Sequence, residues 1–92
     1  MFNPNARWDR KLPRDDNPDE KIAVEASFSN GTVVPREFFY AGTAHRIRKI
    51  TFRWKERVGS EQFYYFNVTD GVDVYKIYFG DKGLVWRISR VG

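Results

Sequence analysis

The stretch from His45 to Lys55 constrains the fold more than any other part of the chain. From Ile50 onward, apolar and polar residues alternate, as expected of a β-strand with one buried face. Ile47 lies three residues before Ile50, so the alternation changes phase once. A β-bulge near Arg48-Lys49 would return Ile47 to the apolar face. We therefore predict a long, bent, central strand. The side chains predicted to point into the core are Ile47, Ile50, Phe52 and Trp54. Those predicted to form a cationic opposite face are Arg46, Arg48 or Lys49, Arg53 and Lys55.

The rest of the chain shows the same two-residue spacing, and no helix of ordinary length is predicted. Asn30-Gly31 and Asp70-Gly71 are typical of tight turns between strands, because these residues tolerate positive φ. Pro35 lacks an amide donor, so its strand is predicted to be an edge strand or to break there. Further strands are predicted at 21–28, 32–41, 62–69, 72–79 and 84–91. Their predicted inward residues include Ile22, Val24, Ala26, Phe28, Tyr64, Phe66, Val68, Tyr75, Ile77, Phe79, Leu84, Trp86 and Ile88.

Residues 21–92 are predicted to form one small all-β domain. Short connections favour pairing between successive strands, so the simplest topology is an antiparallel meander of about six strands. A sheet with one apolar and one mixed face would curl into a small barrel or a strongly bent half-barrel. Residues 1–20 contain three prolines and nine charges and are predicted to be a flexible arm. Alternatively, Phe2, Trp8 and Leu12 pin this arm over one sheet face or bind a partner.

The composition argues against several classes of function. Without cysteine, the chain has no disulfide or thiolate metal site, and His45 is its single histidine. Metal centres and Ser-His-Asp nucleophiles need more ligands or partners than this, so we predict a non-enzymatic protein without a cofactor. We expect His45 to be a surface or capping residue. No segment has the length and apolar character of a membrane span or a signal peptide, which predicts a cytoplasmic protein without a membrane partner.

The positive charge of the chain is concentrated in one region. Residues 21–92 hold twelve basic and seven acidic side chains, giving +5, whereas residues 1–20 hold four basic and five acidic ones, giving −1. Six of the basic side chains fall between Arg46 and Arg57. Such a patch favours anionic partners. The alternative is a solvated sheet face that is kept charged against edge aggregation.

Aromatic residues outside the predicted core complete a candidate binding face. If Tyr64 and Phe66 face inward, Phe63 and Tyr65 face outward, and Tyr78 joins them. Rings interleaved with cations are typical of proteins that bind single-stranded nucleic acid, because bases stack on the rings and phosphates pair with the cations. The candidate site residues are Arg46, Arg48, Lys49, Arg53, Lys55, Phe63, Tyr65 and Tyr78. Alternatively, the same aromatics form a homodimer interface or bind another protein, or the half-barrel holds a small ligand.

Several short motifs in this order resemble a family of short bacterial domains of unknown function, some of which accompany translesion-polymerase genes. The motifs are residues 31–38, Gly42, residues 46–50, Trp54 and residues 65–68. The similarity covers roughly residues 22–91, and it consists of a hairpin glycine, an edge proline and core aromatics. The resemblance implies a small β-domain and no catalytic residue. By association, it also implies a role connected with DNA.

Overall fold

The computed structural model describes residues 19–89, which form seven antiparallel β-strands in one sheet. This described part contains no helix, and therefore none that is long and apolar enough to cross a membrane. The all-β prediction is confirmed, with one strand more than expected. The strands are β1 (Glu20–Ser29), β2 (Thr32–Tyr40), β3 (Thr43–Arg46), β4 (Lys49–Val58), β5 (Glu61–Thr69), β6 (Val74–Gly80) and β7 (Trp86–Ser89). The arm predicted for residues 1–20 lies outside the described residues except for Asp19 and Glu20.

The strand order across the sheet is β3-β2-β1-β7-β6-β5-β4. The predicted pairing of successive strands is therefore confirmed from β1 to β3 and from β4 to β7. The two runs are joined by β1 and β7, the first and last strands, and they are not joined by β3 and β4. The sheet curls into a half-barrel, which opens between β3 and β4.

The prediction that residues 45–55 form one central strand is wrong. These residues belong to β3 and β4, which are the two edges of the sheet, and Ile47 and Arg48 connect them. The backbone amide of Ile47 donates to the carbonyl of Arg36 in β2 at 2.8 Å, and that of Arg48 donates to the carbonyl of Thr69 in β5 at 2.8 Å. These bonds join the connection to β2 on one side of the opening and to β5 on the other, so the chain crosses the opening of the half-barrel here.

The bulge lies at Thr51, two residues beyond the position predicted. Ile50 is opposite Val68, but Phe52 is opposite the next residue of β5, Asn67, so Thr51 is the extra residue. A shift of one residue turns every following side chain to the other face of the sheet. The predicted inward orientation of Phe52 and Trp54 is therefore wrong.

The concave face of the half-barrel carries the core. The buried core residues are Phe38, Phe66, Val68, Ile77, Phe79 and Ile88. Partly buried residues packed against them include Ile22, Val24, Ile47, Ile50, Tyr64, Tyr75 and Trp86. These positions confirm the predicted inward orientation of the residues of β5, β6 and β7, and of Ile22 and Val24 in β1. Leu84 is an exception: it is 68% exposed, with a φ of 54°, in the turn before β7.

Side chains also hold the two edges together at the end where Ile47 and Arg48 cross. His45 of β3 lies with its Nδ1 3.0 Å from Oδ2 of Asp70, in the turn between β5 and β6. The imidazole stacks on Phe38, with ring centroids 5.0 Å apart. His45 is thus a partly buried residue in contact with the core.

Candidate ligand-binding cleft

The half-barrel has a cleft of about 520 Å³ between the β1–β2 hairpin and β4. β3 is only four residues long and pairs with residues 37–40 of β2. Within residues 19–89, residues 32–36 of β2 therefore have no strand on that side. The second half of β4 lines the opposite side of this gap. The cleft thus exists because the strand that would close the wall ends early.

Aromatic side chains line the floor of the cleft. Tyr64 and Phe66 of β5 and Phe79 of β6 are neighbours on the concave face. The rings of Tyr64 and Phe79 are stacked, with centroids 5.2 Å apart. Trp86 packs behind them, 4.6 Å from the Phe79 ring. Phe66 and Phe79 are almost fully buried, whereas Tyr64 is partly buried and Phe28, at the lip, is 74% exposed. The ring surface that a ligand can contact is therefore mainly that of Tyr64 and Phe28, and the buried rings support it.

Two cations form the wall opposite the hairpin. Arg53 and Lys55 of β4 are opposite Phe66 and Tyr64 of β5, so they share the concave face with these rings. The guanidinium carbon of Arg53 lies 5.6 Å from the centre of the Phe66 ring, within the range of a cation–π interaction. Neither Arg53 nor Lys55 makes an ion pair within the described part of the chain. Their charges are therefore available to an anionic ligand.

One carboxylate lies at the end of the cleft. Asp81, in the turn between β6 and β7, is the acidic residue among the described cleft-lining residues. Its Oδ1 accepts from the backbone amide of Gln62 at 3.1 Å, and its own amide donates to the carbonyl of Gln62 at 2.9 Å. These two bonds fix the carboxylate against the start of β5.

The eight residues predicted to form a binding site lie on different surfaces. Arg53 and Lys55 line the cleft, and Tyr65 is also among its lining residues. By strand register, Phe63, Tyr65 and Tyr78 share the convex face, opposite to the face that carries Arg53 and Lys55. The single basic-aromatic face that the sequence predicted is therefore not formed, because the bulge at Thr51 places these cations and these rings on opposite faces of the sheet. The structure pairs the two cations with other rings, those of the cleft floor.

The convex aromatics form a continuous row with the two β4 rings that were expected inside. We call this row the convex seam; it consists of Phe52, Trp54, Phe63, Tyr65 and Tyr78. Tyr65 stacks on Trp54 and on Tyr78, with centroids 5.0 Å apart in both pairs. Burial, followed by the Glu56 carboxylate, raises the pKa of Tyr65. The alternative prediction, that the outward aromatics form a homodimer interface, would use this seam, and it stays a prediction.

The remaining predicted cations lie near the connection between β3 and β4. Arg46 is opposite Glu37 of β2, and Lys49 is opposite Thr69 of β5. The Arg48 side chain lies against Gly71. None of these three is among the described residues that line the cleft.

Five of the cleft residues were assigned to the core from the sequence alone, namely Phe28, Trp54, Tyr64, Phe66 and Phe79. One signal could have marked Phe28: it stands two residues before the Asn30-Gly31 turn, so its side chain comes at the rim of the sheet. Asp81 falls between the strands predicted at 72–79 and 84–91, in a turn to which the sequence assigns no binding role. Within residues 19–89, no three His, Asp or Glu side chains are close enough together to hold a metal ion.

Comparison of the chain with protein-family models, curated proteins and solved structures finds no match. The resemblance to short bacterial domains stays a prediction.

Proposed function

We propose that the cleft binds single-stranded nucleic acid, with bases against the aromatic floor and phosphates at Arg53 and Lys55. The observation that carries this proposal is the bulge at Thr51. It turns the two cations of β4 toward the concave face and the neighbouring aromatic rings, Phe52 and Trp54, toward the convex face.

The opposite register would be the simpler way to build a stable small domain. Full burial of a Phe side chain stabilises a protein by roughly 1.5–3 kcal/mol, and a ring from β4 would help to fill the gap in the barrel wall. With the observed register, Phe52 is 60% exposed instead, and the cleft stays open and positively charged. Departures of this kind from the best local packing are expected at functional sites.

The combination of features favours nucleic acid over other anions. Stacking surfaces beside unpaired cations are what sequence-tolerant binders of single strands use. Arg57 extends the row of cations. It is opposite Gln62 and, at the two-residue spacing of a strand, lies on the same face as Arg53 and Lys55. Alternate residues of a strand repeat at about 6.8 Å. Such a row along an edge strand suits successive phosphates of an extended chain.

A small anionic ligand with an aromatic ring is the second candidate, because a cleft of about 520 Å³ lies within the size range of small-molecule sites. The two candidates differ in their dependence on ligand length. A polymer that follows β4 binds more tightly as it is extended from one nucleotide to about 12, whereas a small-ligand site gains little.

The test is a titration of a labelled single strand of about 12 nucleotides, followed by fluorescence anisotropy at about 50 and 200 mM salt. Neutralisation of three phosphates predicts a loss of affinity of roughly tenfold to twentyfold between these salt concentrations. The variant Arg53→Glu with Lys55→Glu should weaken binding by at least about tenfold.

The matched control is Lys21→Glu with Arg36→Glu. It changes the net charge by the same amount at two exposed residues that do not line the cleft. It should retain most of the affinity. Equal losses in the two double variants, or no binding at low salt, would contradict the proposal.

A further inference from the structure

The Asp81 carboxylate is the feature of the cleft that phosphate binding does not explain. A negative charge beside a phosphate track opposes the ligand. Asp81 nevertheless lines the cleft together with Arg53, Lys55 and the aromatic floor. The amide of Gln62 accounts for only one of the two oxygens of the Asp81 carboxylate. The second oxygen of this carboxylate can therefore accept a hydrogen bond from a ligand group.

The carboxylate of Asp81 is fixed in position, and one of its two oxygens can accept a further hydrogen bond. Its Oδ1 is occupied by the amide of Gln62, while Oδ2 makes no hydrogen bond or ion pair within residues 19–89. The backbone around it is fixed as well, since the amide of Leu84 donates to the carbonyl of Gly80 at 2.9 Å. An ionised carboxylate is an acceptor only, so its partner in a complex must be an N–H or O–H group.

We propose that Asp81 reads the edge of a base bound on the aromatic floor and favours bases that present an amino group, cytosine over thymine in particular. This inference rests on the proposed function of the cleft. Cytosine presents the N4 amino group, a donor that carboxylates accept in base recognition. Thymine presents the O4 carbonyl at the same place, and two acceptors facing each other repel.

The experiment compares oligo-dC and oligo-dT of equal length, at neutral pH and low salt, with the wild-type chain and with Asp81→Asn. The asparagine keeps an oxygen that can accept from the Gln62 amide, but it replaces the other carboxylate oxygen by an amide NH2 group. That group donates to O4 of thymine and clashes with the amino group of cytosine. The two oligonucleotides carry the same number of phosphates, so the ratio of their affinities reports only on the difference between the bases.

The expected result is that the wild type binds oligo-dC about fivefold or more tightly than oligo-dT, and that Asp81→Asn equalises or reverses this preference. A preference for oligo-dT in the wild type, or a ratio that Asp81→Asn leaves unchanged, would overturn the role of Asp81 while leaving the cleft as a nucleic-acid site. Binding of neither oligonucleotide to either protein would overturn the proposed function and this inference with it.

Discussion

Arg53 lies over the ring of Phe66, with its guanidinium carbon 5.6 Å from the ring centre, on the concave face of the sheet. This contact shows where the second half of β4 points. An arginine over a core ring keeps its charge at the surface of the cleft while its stem covers apolar area. The same register places Trp54 on Tyr65 across the convex face, with ring planes 5° apart. One inserted residue, Thr51, therefore determines the chemistry of both faces.

Exchanging the side chains of β4 in pairs tests this arrangement without changing composition or net charge. In the variant Phe52→Arg, Arg53→Phe, Trp54→Lys, Lys55→Trp, the rings face the cleft and the cations face outward. We expect oligonucleotide affinity to fall by at least about tenfold, because the cleft loses its two cations and is filled. The lost stacking on Tyr65 costs about 0.5–1.5 kcal/mol, and ring burial offsets it, so the chain should stay folded.

The control for this exchange is Phe52→Trp with Trp54→Phe, which swaps two convex rings and leaves both cations in the cleft. Anisotropy titration measures affinity, and circular dichroism with thermal unfolding checks the fold. If the four-residue exchange binds as tightly as the control, the concave face is not the binding surface.

The faces of most strands could be predicted from the sequence because their ends are fixed by turns. In β5 and β6 the alternation runs without interruption on both sides of Asp70-Gly71, so only one assignment buries Phe66 and Ile77 together. In β4 the alternation permits two phases, depending on where the extra residue lies. The stacking of Trp54 on Tyr65 accompanies the observed phase, and that contact depends on the partner strand.

The opening of the sheet could not be predicted, for a related reason. Sequence spacing indicates which strands are consecutive, but the pairing of β1 with β7 joins residues such as Ile22 and Trp86 that are far apart in the chain. The hydrogen bonds of Ile47 to β2 and of Arg48 to β5 likewise join residues that are well separated in the chain. The cleft follows from this opening, so its aromatic residues could be recognised as apolar but not as the lining of a cleft.

Gly80, the last residue of β6, and Gly83, in the turn that follows, provide a matched test of packing beside the cleft. A Cβ on Gly80 would lie 2.8 Å from Cε1 of Phe63 and would also collide with the carboxylate of Glu61. We expect Gly80→Ala to destabilise the fold by about 1–3 kcal/mol through overpacking. On Gly83 the nearest atom is Cγ2 of Val85 at 3.8 Å, so Gly83→Ala should change stability by less than about 0.5 kcal/mol. Urea unfolding measures both, and equal effects would contradict this explanation.

Asp70 links the β5–β6 turn to β3, and its ionisation makes that link dependent on pH. The backbone amide of Asp73, then His45, then the amide of Val72, hold the pKa of Asp70 well below its usual range. Because the folded state stabilises the carboxylate, this contribution is present above the unfolded pKa of about 4 and is lost as the pH falls below it. Asp70→Asn should destabilise the fold at neutral pH by roughly 1.5–3 kcal/mol, the range for hydrogen bonds to a charged group.

The difference between the wild type and Asp70→Asn should shrink as the pH is lowered from neutrality through 4, because the wild-type carboxylate then becomes protonated on unfolding. The matched control is Asp73→Asn in the same turn. Within the described part of the chain, the Asp73 carboxylate has one hydrogen-bond partner, the hydroxyl of Tyr75 at 3.5 Å, so this variant should stay close to the wild type at every pH. Urea unfolding at several pH values measures all three proteins. A loss for Asp70→Asn that is constant across the acidic range would mean that the asparagine removes a contact whose strength does not depend on charge.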